Sequence, residues 1–152
     1  MLKGKKVIVL GDKGGIKDSA VTACLEGTGA EVVYGMTECF ACMLVNTLEP
    51  KEQQKVLELT EEYGKENIIV VLGSSEAEQA AVRAETVLAG DPTDIGPLKG
   101  ISLGLPVYHI FELKEQINPV LYKEHCATFE MLLEADDIIR EVAAVRNEFY
   151  KN

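Results

Sequence analysis

The stretch NIIVVLG, residues 67–73, decides the fold. Five consecutive apolar residues, Ile68, Ile69, Val70, Val71 and Leu72, close on a glycine. A short, unbroken, mostly β-branched run of this kind reads as a strand buried on both faces. The segment before it, PKEQQKVLELTEEYG, reads as a helix with Pro50 at its first position and Gly64 after its last turn. The segment after it, SEAEQAAVRAETVLAG, opens with Ser75 and Glu78 at capping-box spacing and stops at Gly90. A buried strand between two helices is the repeating unit of a parallel sheet covered on both faces.

The same alternation extends in both directions. KVIVLG (6–11) predicts a first strand, and SAVTACLEGTG a helix with Ala20, Val21, Cys24 and Leu25 on one side and Gly27 or Gly29 as its stop. EVVYGM (31–36) and LPVYHI (105–110) predict two further strands. From residue 119 to 149 the pattern is helical, as one long helix or two consecutive ones, with Phe129, Leu132, Leu133, Ile138, Ile139, Val142 and Val145 on one side. So long a helical region in so small a chain raises a homo-oligomer contact as an expectation. The Gly- and Pro-rich stretch at 88–104 predicts an ordered loop or a loop with one short helix. With no repeat and no linker, the expectation is one domain over residues 1–152. It is a doubly wound, flavodoxin- or Rossmann-like three-layer α/β fold, with right-handed crossovers and a mostly parallel sheet of at least four strands.

Composition narrows the function. The chain has 152 residues, 47% of them hydrophobic and 26% charged, the balance of a soluble globular protein. No apolar run approaches the ~20 residues of a membrane span. The N-terminal MLKGKKVIVLGDKGG reads as a first strand rather than a signal peptide. A formal net charge of -10 is repelled by phosphate backbones and anionic lipid, which makes nucleic acid and membrane surfaces poor partners. Four cysteines without secretion signals point to a reducing, cytoplasmic setting.

In an open α/β sheet, ligands meet the carboxyl ends of the strands. Those ends carry Gly11 and Asp12, the segment from Thr37 to Cys42, Gly73 to Ser75, and His109. Within them, TECFACML (37–44) holds Cys39 and Cys42 three apart. If Cys39 leads a helical turn in CFACMLVNTL, Cys42 falls one turn later, within reach of its sulfur. The helix start would also stabilise a thiolate. One cysteine could then form an adduct that the other displaces as a disulfide. Two buried apolar side chains on a turn are the alternative. A zinc site is a further one, but Cys24, Cys126, His109 and His125 show no paired ligand spacing. Glu38 is either a proton acceptor or an exposed charge. The GDKGG turn (11–15) resembles a phosphate-binding loop without its full spacing, and Asp12 is a polar group at the edge of the site. His109 reads first as a satisfied structural histidine and second as a proton-transfer group. His125 reads as exposed, and Cys24 and Cys126 as core. The pair is not that of a thioredoxin: no tryptophan precedes it, and the strand pattern differs.

KKVIVLGDKGGI, CLEGTGAEVV, TECFACM, AETVLAGDPT, GPLKGISLGLPVYHIFE and the final acidic helix together resemble the selenoprotein A components of glycine, sarcosine and betaine reductase complexes of amino-acid-fermenting anaerobes. The resemblance runs nearly the whole length. In that family the second position of the pair is selenocysteine, and here it is Cys42. A natural cysteine-containing homologue and a replacement of selenocysteine are both consistent with this. The resemblance implies a redox carrier with no bound cofactor beyond selenium at that position. Component B transfers a carboxymethyl group to position 42. Component C takes the two-carbon unit as an acetyl thioester and releases acetyl phosphate, and thioredoxin reduces the oxidised pair. By position Cys42 takes the nucleophile role and Cys39 the resolving role, with Thr37, Glu38, Asp12 and His109 as candidate supporting groups. A stand-alone thiol–disulfide oxidoreductase and a non-catalytic effector-binding module are the competing readings.

Overall fold

In the computed structural model, which describes residues 1–43 and 46–149, four strands form one sheet. They are β1 (Lys6–Asp12), β2 (Glu31–Glu38), β3 (Ile68–Leu72) and β4 (Val107–His109), in the order β2-β1-β3-β4. Every pairing is parallel. The 67–73 run that fixes the reading lies at the centre: β3 is buried at all five positions, as a strand covered on both faces must be. The alternation of strands and helices is that of a doubly wound three-layer α/β domain.

Among the described residues there are six α-helices: α1 (Asp18–Cys24), α2 (Pro50–Tyr63), α3 (Ala77–Leu88), α4 (Pro119–His125), α5 (Ala127–Leu132) and α6 (Ala135–Phe149). For the order β2-β1-β3-β4, the right-handed crossover rule assigns α1 to one face of the sheet and α2 and α3 to the other. The α4 helix packs on α1, and α6 packs on α3 and β4. Leu25, Val21, Val56, Ala80, Ala84, Val87, Ile138 and Val142 fill the layers between sheet and helices. Gly64 ends α2 with φ +84°, a left-handed conformation that glycine adopts without a Cβ penalty.

The structure departs from the sequence reading in three places. The region 119–149 is three helices rather than one or two. The breaks fall at Cys126, which starts a new turn with φ -126° and ψ -30°, and at Leu133, which is extended. Leu132, expected on the apolar side, is 75% exposed, because the break turns the end of α5 outward. The loop 89–106 takes the helix-free form of the two the sequence allows, and the Asp91 carboxylate organises it. That carboxylate accepts hydrogen bonds from the backbone N–H groups of Thr93 (2.8 Å), Ile95 (3.1 Å) and Gly96 (2.8 Å). The Ser75–Glu78 capping box does not form. Glu76 is the residue flanking α3, and the Ser75 hydroxyl is used elsewhere.

Candidate functional site

The sheet order places the loops after β1, β2 and β3 side by side at its carboxyl end. Asp12 ends β1, paired with Glu38 at the end of β2. Its buried carboxylate joins all three loops. One oxygen accepts the Gly14 N–H (3.4 Å) and the Phe40 N–H (3.3 Å). The other accepts the Ser75 N–H (3.0 Å) and the Ser75 hydroxyl. The cysteine loop is therefore pinned, through Phe40, to the first strand of the sheet.

Cys39 and Cys42 are joined as a disulfide with their Cα atoms 5.3 Å apart. The bond closes a single 3₁₀ turn, Phe40–Cys42, with Cys39 as its flanking residue and the Cys42 N–H donating to the Cys39 carbonyl (3.1 Å). The one-turn separation expected from the spacing is present, but the turn does not continue as an α-helix from Cys39. The next helix starts at Pro50, and the intervening Leu44 and Val45 lie outside the described residues. Activation of a thiolate at the pair thus falls to nearby N–H groups and side chains, not to the aligned dipole of a long helix. The two sulfurs differ in access: Cys42 is exposed and Cys39 is half-buried.

Beneath the loop lies an ion pair that the sequence reading does not contain. Arg83 of α3, 1% exposed, donates to Glu38 Oε1 at 2.5 Å and contacts Met43 Sδ at 3.6 Å. The other Glu38 oxygen accepts the Glu49 N–H (3.2 Å). Glu38 is neither exposed nor free: burial pushes its carboxyl upward, against the pull of the Arg83 guanidinium. The pair braces both ends of the segment that carries the cysteines. Its signal in the sequence was an arginine among Ala80, Ala84 and Val87 on the apolar face of a helix. One turn earlier on α3, both amide atoms of Gln79 are buried without a protein partner, as are Arg83 Nη1, Ser74 Oγ and Asn46 Oδ1. Buried polar groups are nearly always hydrogen-bonded.

The remaining candidates take structural positions. The Thr37 hydroxyl donates to the Asp18 carboxylate and accepts the Asp18 N–H (2.9 Å), which latches β2 to the start of α1. His109 is fully buried. Its Nδ1 accepts the Phe111 N–H (3.2 Å), so Nε2 carries the proton and donates to the Ser74 carbonyl (2.8 Å). Burial pushes its pKa down to about 4, and both ring nitrogens are occupied. His125 is half-buried at the end of α4. In the GDKGG turn, a Cβ on Gly15 would collide with the Gly73 carbonyl and one on Gly73 with the Ile16 carbonyl. These glycines let the loops after β1 and β3 touch, which the Ile16 N–H to Gly73 carbonyl bond (2.9 Å) records. The crevice between β1 and β3, where such folds hold nucleotides, is filled by the chain itself.

No helix among the described residues is long and apolar enough to cross a membrane. Fold and site define a doubly wound α/β protein that presents a Cys-x-x-Cys disulfide at the carboxyl end of its sheet. Residues 2–146 match the family described as glycine reductase complex selenoprotein A, and the chain belongs to that family. It is 48% identical to glycine/sarcosine/betaine reductase complex component A of Alkaliphilus metalliredigens and to the component A of Clostridium botulinum. Each match covers 99% of this chain and 97% of the relative. Component A1 of Peptoclostridium acidaminophilum is 43% identical over the same share of both chains. No solved structure matches the chain.

Proposed function

We propose that the protein is the redox carrier of an amino-acid reductase complex, with Cys42 as the nucleophile and Cys39 as the resolving thiol. The observation that carries this reading is the unequal exposure of two sulfurs already within bonding reach. Cys42 stands in the open, where a partner can deliver a group, and Cys39 lies half-buried behind it. The family supplies the context of a multi-component complex.

The reaction sequence follows from these roles. The Cys42 thiolate attacks the activated methylene presented by component B, forming a carbon–sulfur bond as the amine leaves. Cys39 then attacks the Cys42 sulfur. The carbon–sulfur bond breaks, and its electron pair stays on the two-carbon unit, which expels a carboxylate oxygen as water and so remains activated. The two sulfurs are oxidised to the disulfide. A thiol of component C adds to the carbonyl carbon of that unit, and its proton goes to the methylene carbon, which leaves an acetyl thioester. Phosphate releases acetyl phosphate, and a thioredoxin dithiol reduces the carrier. Position 42 is where the family resemblance places selenium. A selenol ionises more readily and leaves more easily, so the cysteine form runs the same sequence with a weaker nucleophile.

The test is to incubate the reduced protein with component B and its amino acid, omitting component C, and to map the adduct by mass spectrometry. A carboxymethyl group on Cys42 supports the assignment. An adduct on Cys39, or none on either cysteine while component B is active toward a selenocysteine-containing component A, contradicts it.

A further inference from the structure

The two cysteines outside the site are 102 positions apart in the chain, yet their sulfur atoms lie 3.3 Å from each other. Cys24 ends α1 and Cys126 marks the break between α4 and α5. Both are buried with no measurable exposure. The Cys24 thiol also points toward the Leu121 carbonyl on α4, at 3.7 Å. A sulfur–sulfur bond is about 2.05 Å long, so closing this gap takes roughly 1.3 Å of movement. The contact joins α1 to the helical region that covers it, and no charged group is needed to hold the sulfurs together.

We propose that Cys24 and Cys126 are a second, oxidisable dithiol, whose disulfide staples α1 to the α4–α5 junction. The oxidant is a hydroperoxide. The Cys24 sulfur attacks the terminal peroxide oxygen, the oxygen–oxygen bond breaks, and the alcohol (water, for hydrogen peroxide) leaves. Cys126 then displaces water from the sulfenic acid so formed. Two thiols are oxidised by two electrons, and one peroxide is reduced. Cys24 is the attacking sulfur because its pairing with Cys126 favours the Cys24 anion and disfavours that of Cys126. Access requires the α4–α5 segment to open. That segment consists of helices of seven and six residues and already exposes Val120, Met131 and Leu132. Oxidation of this pair is therefore slower than that of Cys39 and Cys42, by at least about tenfold, because buried thiols are protected from reagents.

The experiment starts from the fully reduced, folded protein and adds hydrogen peroxide, with samples alkylated in denaturant over time. Free thiols should fall from four to two quickly and from two to none slowly. Combined cleavage after lysine, arginine and glutamate, except before proline, separates residues 18–26, 39–51 and 125–130, so each pairing has its own cross-linked product. The expected slow product links 18–26 to 125–130 with loss of two hydrogens. It is absent from both Cys24→Ser and Cys126→Ser, and it raises the melting temperature above that of the reduced chain. The same product should form in a Cys39→Ser/Cys42→Ser chain, which excludes exchange through the exposed pair. Two thiols that persist after the fast phase overturn the proposal. So do sulfinic acids at Cys24 or Cys126, bonds from either to Cys39 or Cys42, and a cross-link that forms only in denaturant.

Discussion

The two cysteine pairs carry the same side chains in opposite surroundings. Cys39 and Cys42 are close in sequence and sit on a turn held by polar contacts: Asp12 holds the Phe40 N–H, and Arg83 holds Glu38 and touches Met43. Cys24 and Cys126 are distant in sequence and meet inside an apolar layer between α1 and α4. The first pair is placed by hydrogen bonds and charge and left open to partners. The second is placed by hydrophobic packing and closed to them. A thiol's chemistry in this fold is thus set by what positions it, and the two modes of positioning should fail in different ways.

The largest effect is expected at the brace of the exposed pair. Arg83→Met strands the Glu38 carboxylate in a buried site, and breaking a buried ion pair from one side costs about 3–5 kcal/mol. Urea unfolding of the reduced protein should show that loss, and the ratio of Cys42 to Cys39 alkylation should move toward parity as the loop loosens. A cost under about 1 kcal/mol would mean that the ion pair does not hold the loop.

The apolar counterpart is Leu25→Ala, beside Cys24. Removing a buried leucine side chain costs about 3 kcal/mol through lost transfer energy and the cavity left behind. Here the Cys42 to Cys39 ratio should stay as in the parent protein. A changed ratio would break the separation between the two regions.

An effect of at most that size, and dependent on pH, comes from His109. It is neutral in the fold with its pKa near 4, against about 6.5 when exposed. The unfolded chain therefore binds the extra proton between those values. Its contribution is present above about pH 6.5 and fades as pH falls toward 4, by up to about 3 kcal/mol. Gln can replace both hydrogen bonds, to the Ser74 carbonyl and from the Phe111 N–H, without titrating. The stability difference between parent and His109→Gln should thus shrink or reverse in favour of the variant as pH falls through this window. A pH-independent difference would show that His109 titrates normally.

Much of this architecture is legible in the chain. The unbroken apolar run at 68–72 fixes the central strand, and Pro50 and Gly64 bracket α2 because proline suits a first turn and glycine tolerates φ +84°. The Cys39–Cys42 turn follows from its spacing. What stayed hidden depends on contacts between distant segments. Ser75 has capping-box spacing to Glu78, yet its hydroxyl serves Asp12, a residue of another loop. The ion pair of Glu38 and Arg83 spans 45 positions and the Cys24–Cys126 contact 102, and no local pattern encodes either. The break at Cys126 follows the turning of the chain over α1 rather than a glycine or proline. Arg83 did leave a trace, as a charge on an otherwise apolar helix face.

The central claim is that Cys42 is the open, reactive sulfur and Cys39 its shielded partner. Iodoacetate places on a thiolate the same carboxymethyl group that the carrier is proposed to accept. With the pair reduced and the reagent limiting near neutral pH, mass spectrometry of residues 39–51 and of the Cys24 and Cys126 peptides reads all four sites at once. Cys42 should be labelled well ahead of Cys39, and Cys24 and Cys126 should remain unlabelled while the fold is intact. Faster labelling of Cys39, or equal labelling of all four, would contradict the account.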